Sequence, residues 1–276
     1  QQSNGQFGPM KDYSYEPGLQ RDCCQDWWPR MVVLKILQQH YSATGDERVI
    51  SFMTNYFRYQ LEMLDKYPLD HWRFWGRYRG GDNLMCVYWL YNITGDDFLL
   101  DLGDKIYRLT EPFTDQFLER KRLSRIGTIH CVNLAQGMKT PIVYSQYDND
   151  PKYELSLEYA LDDIRQFHGV PTGVFNGDEA IHGTSPTQGT ELCTIVEYMF
   201  SLETMYRING NPRYADLLEK VAYNALPAQT DDEYMTRQYF QQANQISSLR
   251  IQNNFDCPQK MVEGGITRFH SVQNAL

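Results

Sequence analysis

Residues 41–46 read YSATGD, and the same shape returns as YNITGD at 91–96 and YRINGN at 206–211. Each places a tyrosine four positions ahead of a glycine that is followed by Asp or Asn. Glycine tolerates the left-handed backbone that ends a helix, and an Asp or Asn side chain accepts from the first amides of the next one. Each hexapeptide therefore predicts the tip of a helix–turn–helix. The flanks agree. After Asp46, Val49, Ile50, Met53, Phe57, Leu61 and Leu64 share one helical face; after Gly210, Tyr214, Leu217, Leu218, Val221 and Leu226 do the same, with Pro227 as the stop. Ahead of Gly95, residues 84–93 (LMCVYWLYNI) are apolar nearly all round, as in a helix buried on two sides. Gly45 and Gly95 stand 50 residues apart and Gly210 a further 115, which fits hairpin units of roughly fifty residues. Runs of β alternation are nearly absent. The reading is an all-α chain of stacked antiparallel hairpins, a toroid or a solenoid, forming one domain over residues 1–276.

A toroid gathers its inter-helix loops around a central pit, where chemistry would sit. The longer irregular segments are 68–83, 167–190 and the stretch beyond 229. The first, PLDHWRFWGRYRGGDN, holds Trp72, Trp75, Tyr78 and a Gly-Gly-Asp-Asn corner, expected to offer a platform for stacking sugar rings. The chain has 20 Tyr, 13 Phe and 5 Trp, most of them needed for core packing. A net charge of −9 argues against nucleic acid or an anionic membrane surface as partner. No apolar run reaches the ~18 residues of a membrane helix. The N-terminal sequence has no basic and apolar signal pattern, so a periplasmic or extracellular location is expected only if a signal peptide has been removed. Six cysteines without a regular framework (23, 24, 86, 131, 193, 257) read as free thiols or metal ligands, with Cys86 and Cys131 as small core residues. The oligomeric state is not legible.

Residues 178–193, DEAIHGTSPTQGTELC, carry the candidate chemistry. Glu191 and Cys193 are a carboxylate and a thiol two positions apart at the door of an apolar helix. On a regular helix they point about 200° apart; in a first turn just leaving a loop they could share one ion, as half of a tetrahedral zinc site. The plainer reading, which spacing alone favours, has Glu191 complementing the helix dipole and Cys193 buried in the core. Glu179, in a turn-rich loop, suits a proton donor to a leaving oxygen, or is a solvated acid. His130, in GTIHCVNLAQGMKTPIVY, reads as a histidine on an apolar helical pattern, and His71 and His182 are ambiguous.

Residues 26–49, 74–96, 177–203 and 213–229 together resemble glycoside hydrolase family 127, the β-L-arabinofuranosidase group, with the span around Glu179 and Glu191 the most specific. The resemblance runs from the N-terminal NGQFGP to about residue 255. It implies an (α/α)6 barrel followed by β-sandwich domains, and a retaining hydrolase of β-L-arabinofuranosides or related sugars in oligosaccharides or plant glycans. The implied nucleophile is a cysteine thiolate held on zinc. By the same resemblance Glu191 and Cys193 match the Glu-x-Cys zinc ligands and Glu179 matches the acid/base, with a shorter loop between them than in the founding members. His130 in H-C-V-N is similar to a sugar-contacting His in an H-x-V-R pattern. Glu219 and Tyr239 match sugar-contacting positions, and Asn83 falls where the founding members carry a His.

One departure stands out. The family's adjacent Cys-Cys, whose first member attacks the anomeric carbon, would fall at about 268–283, and the sequence there shows none. Cys23-Cys24 precedes the Glu-x-Cys, and Cys257 is single. The expectation is an incomplete barrel with a divergent or truncated tail after about 255, giving little or no hydrolysis by itself. Rival expectations are a carbohydrate-binding pseudoenzyme, an (α/α)-toroid epimerase or lyase with a His or Tyr base, and a helical-repeat scaffold.

Overall fold

The computed structural model describes residues 1–12, 23–230, 232, 233, 235 and 237–243. The tail after about 255, Cys257 and the expected Cys-Cys region lie outside the described residues. The fold is all-α in class, with eleven α-helices and four two-residue strands among the described residues. In order these are α1 (Trp28–Thr44), α2 (Arg48–Met63), α3 (Phe74–Tyr78), α4 (Gly80–Thr94), α5 (Phe98–Leu109), α6 (Phe113–Glu119), α7 (Cys131–Gly137), α8 (Thr140–Ser145), α9 (Lys152–His168), β1 (Gly177–Asp178), β2 (Ala180–Ile181), β3 (Thr190–Glu191), α10 (Leu192–Asn209), α11 (Pro212–Asn224) and β4 (Phe240–Gln241). No described helix is long and apolar enough to cross a membrane.

The three tips close α1–α2, α4–α5 and α10–α11. Gly45, Gly95 and Gly210 are left-handed at φ 67°, 70° and 69°. Each donates its N–H to the tyrosine carbonyl four residues back at 2.8 Å, the single bond of an αL cap. A Cβ at any of the three would meet nothing within 4 Å, so glycine serves the dihedral there and not a shortage of room. The next residue does the N-capping at two tips: Asp46 accepts from the Arg48 N–H and Asn211 from the Arg213 N–H. At the middle tip Asp96 engages Leu99 through its backbone carbonyl.

Contacts divide the chain into two compact units, residues 1–112 with 143–149, and 113–142 with 150 onward. In the first, α1, α2, α4 and α5 pack around Met31, Leu34, Met53, Phe57, Leu84, Val87, Leu90, Leu102 and Ile106, all without exposed surface. Each such side chain contributes about 1.5–3 kcal/mol by leaving water. Several charged groups inside this unit are met locally. The Arg30 guanidinium donates to the carbonyls of Phe7, Cys24 and Asp26, and Lys35 meets Asp82 at 2.6 Å. The Gly-Gly-Asp-Asn stretch is not the expected loop corner; it is the buried first turn of α4. Its Gly80 is there for space, because a Cβ would lie 2.0 Å from Thr110 Oγ1.

In the second unit α6 packs on α9, and α10 on α7 and α11. The strands form one small sheet in the order β2-β1-β3-β4, in which β1 runs parallel to β3 and antiparallel to β2. Two-residue strands leave no alternation to read, so the sequence is silent on them. The sheet places the termini of the 178–193 loop beside each other.

Candidate active site

Residues 177–181 make a hairpin in which Asp178 pairs with Ala180, leaving Glu179 alone at the tip. Its φ is 89°, a left-handed value that a residue with a Cβ adopts only under strain of about 1–3 kcal/mol. Of the described non-glycine residues only Arg120 shares a positive φ. Neighbouring backbone holds the tip in place. Cys131 N–H donates to the Glu179 carbonyl at 2.8 Å, Ile181 N–H to Ile129 O at 3.1 Å, and Gly127 N–H to Ile181 O at 2.9 Å. Gly177 permits this approach, since a Cβ there would lie 2.3 Å from Cys131 Cβ.

The Glu179 carboxylate meets His130 Nε2 at 3.0 Å. His130 does not sit within the expected apolar helix but caps the N-terminus of α7. Its Nδ1 accepts from the N–H groups of Val132 and Asn133 at 3.2 and 3.4 Å. An accepting Nδ1 carries no proton, so the ring proton is on Nε2 and is donated to Glu179.

Glu191 is the residue before α10, with extended backbone (φ −71°, ψ 137°), so its side chain leaves the helical path and the thiol of Cys193 can donate to it. The carboxylate is buried, 2% exposed. Oε1 accepts from Tyr239 O–H at 2.7 Å and Oε2 from the Cys131 thiol at 3.4 Å. Burial raises its pKa, the nearby Glu179 charge adds to that, and His130, Tyr239 and Cys193 oppose it. Burial, then the charge of Glu191, likewise holds the Cys131 thiol and the Tyr239 phenol well above their usual ranges. Cys193 itself is exposed.

Ligand atoms of His130, Glu179 and Glu191 lie within 4.8 Å of one another, a spacing that one metal ion could span. His130 would join such an ion through Nε2 only with a proton on Nδ1, and Nδ1 is accepting two backbone N–H groups. Glu179 and Glu191 could share an ion without breaking that cap, and the Cys193 thiol, which donates to Glu191, lies at the same helix entry.

Around this cluster the loop is tied down. Asn176 donates to the carbonyls of Gly183 and Ser185 and accepts from Thr190 Oγ1. His168 is held neutral by burial; its Nε2 donates to Leu123 O and its Nδ1 accepts from Gly183 N–H. His182 reaches buried Asp178 at 2.9 Å.

Of the residues singled out in the sequence, His130, Glu179, Glu191, Cys193 and Tyr239 are brought together. Glu219 is exposed on α11. Trp72 and Asn83 belong to the first unit, where Trp72 is 5% exposed and Asn83 is fully buried, its amide exchanging two hydrogen bonds with Gln60. Cys131 was expected to be core and is buried, yet its thiol faces Glu191 across 60 residues of sequence, a contact that no local pattern signals.

The model of the "Beta-L-arabinofuranosidase, GH127 catalytic domain" family matches residues 1–263. No curated protein is similar by direct sequence comparison. Solved structures supply the fold. A GH127 β-L-arabinofuranosidase from Geobacillus stearothermophilus T6 superposes with a TM-score of 0.58 at 16% identity, over 79% of this chain and 38% of that one. A second, described only as a glycoside hydrolase, gives 0.57 at 16% identity over 78% and 40%. The unsaturated glucuronyl hydrolase of Bacillus sp. GL1 gives 0.54 at 15% identity over 77% and 60%. The chain thus spans well under half the length of the first two. These neighbours are (α/α)6 toroids, the architecture that the family resemblance implies and one of the two arrangements, toroid or solenoid, open to the glycine-tipped hairpins. With a family model matched along nearly its whole length, the chain belongs to the GH127 β-L-arabinofuranosidase catalytic-domain family.

Proposed function

We propose that this chain is the catalytic domain of a retaining glycosidase acting on β-L-arabinofuranosides or related sugars of plant glycans. The observation that supports it most is the strained hairpin tip that holds Glu179 against His130, with Glu191 and Cys193 alongside. In this reading Glu179 gives a proton to the departing glycosidic oxygen and then takes one from water. His130 orients the Glu179 carboxylate through its Nε2 proton and presents a polar edge to the sugar. Tyr239 fixes Glu191 by donating to Oε1. Glu191 and Cys193 would hold zinc, which keeps coordinated thiols deprotonated at neutral pH and so makes a nucleophile available.

Tyr239 and His130 are the sugar contacts best supported by position. Glu219 and Asn83 stand on the resemblance and Trp72 on the aromatic segment 68–83; Asn83 would reach a sugar only by giving up its amide pair with Gln60. The test is hydrolysis of an aryl β-L-arabinofuranoside by the protein carrying this domain, with the first-formed anomer read by NMR. Release of L-arabinose with retained configuration is expected. Inversion, or turnover confined to an unrelated sugar, contradicts the proposal.

A further inference from the structure

The first unit carries a second set of metal-type donors. We propose that Asp12, Cys23 and Cys24 form a binding site for a borderline-soft divalent cation of the zinc type. One carboxylate oxygen and two sulfurs lie within 4.8 Å of one another there, close enough to converge on one ion. Cys23 is fully buried, Cys24 half-buried and Asp12 exposed, so the set has a closed floor and one side open to solvent.

The frame around it is fixed by backbone bonds. Cys24 N–H donates to Lys11 O at 2.8 Å, which ties the Asp12 segment to the cysteine segment. Asp26 N–H closes a turn onto Cys23 O at 3.1 Å. The buried Arg30 guanidinium grips Cys24 O at 2.7 Å and Asp26 O at 2.9 Å. A second layer orients the carboxylate: the Gln25 amide donates to Asp12, and Gln25 Oε1 lies 2.7 Å from His71 Nε2. Outer partners of this kind are what keep metal ligands aimed.

The donor set decides the ion. Calcium and magnesium take oxygen ligands, whereas two thiolates with one carboxylate suit zinc and leave one tetrahedral position for water or a fourth ligand. Binding replaces the two thiol protons with metal–sulfur bonds and releases them to solvent.

The test is zinc titration of the reduced, metal-free chain against a chromophoric chelator, with Co2+ absorption as the second readout. One tight equivalent with sulfur-to-cobalt charge-transfer bands is expected in the wild type and in Glu191→Gln, since the two donors Glu191 and Cys193 by themselves bind zinc only weakly. Cys24→Ser should lose both. Asp12→Asn changes an exposed side chain, so it should keep the native far-UV circular dichroism and weaken zinc by at least about tenfold. Retention of the equivalent in Asp12→Asn and Cys24→Ser, or its loss in Glu191→Gln alone, overturns the proposal. So does a Cys23–Cys24 disulfide found by mass spectrometry in the protein as isolated. Because the Glu191→Gln arm is read separately, failure of the glycosidase reading leaves this result standing.

Discussion

Two kinds of turn in this protein use the same left-handed backbone for different ends. At the helix tips Gly45, Gly95 and Gly210 adopt φ near 70° with empty space where a side chain would be. At the β1–β2 tip the same region of dihedral space is occupied by a glutamate, at φ 89°. The helix tips obtain their geometry from the residue without a Cβ. The hairpin tip accepts strain so that a carboxylate can stand beside His130 and Glu191. Backbone strain at a carboxylate that faces His130 and Glu191 is a pointer to chemistry.

The largest effect that would break or sharpen this contrast is on catalysis. Glu179→Gln keeps the side chain's shape and removes its proton chemistry, so hydrolysis of a poorly activated arabinofuranoside by the protein carrying this domain should fall about 10²–10⁴-fold. An unchanged rate would reduce the strained tip to a structural oddity. Next come the helix tips. Gly210→Ala meets no steric neighbour, so its loss reports the dihedral alone, about 1–2 kcal/mol in urea unfolding. A neutral result would mean that these tips do not depend on glycine.

A smaller effect tests the support under Glu179. His130→Ala removes the acceptor at the start of α7 and should lower stability by about 1 kcal/mol. His130→Asn should restore the cap and the stability but not the activity, separating the two ring nitrogens by function. Smaller still is a pH effect. Burial raises the pKa of Asp178 above its ordinary 3.8, with His182 opposing. The folded chain then holds that proton more tightly than the unfolded one. The contribution of Asp178 to stability is therefore full below the ordinary carboxylate pKa and is lost as pH rises through the raised one. Asp178→Asn should flatten that slope in urea unfolding followed across acid pH.

The helix tips were legible in the sequence because their determinants are local: tyrosine carbonyl, glycine and capping residue lie within six positions. The hairpin tip was not. Glu179 could be singled out as a loop acid, but its dihedral depends on a Cys131 amide 48 positions earlier and on Gly177 having no Cβ. His130 reads as one more polar residue in an apolar run, and only the fold shows that its Nδ1 caps the start of α7. The Gly-Gly-Asp-Asn stretch misleads for a similar reason. Two glycines signal a turn, whereas Gly80 answers to Thr110 packed against it. The Glu191–Cys193 pair was open between one ion and opposite faces, and the extended backbone at Glu191 lets the two side chains meet.

The most direct test of the strained tip is Glu179→Gly, followed by urea unfolding and, in the protein carrying this domain, by hydrolysis. Glycine relieves the left-handed strain and loses some of that gain to its extra freedom when unfolded, so stability should rise by about 1 kcal/mol or less while hydrolysis is lost. A variant that is clearly less stable would show that Glu179 is held there for packing, and that the carboxylate is not the reason for the strain.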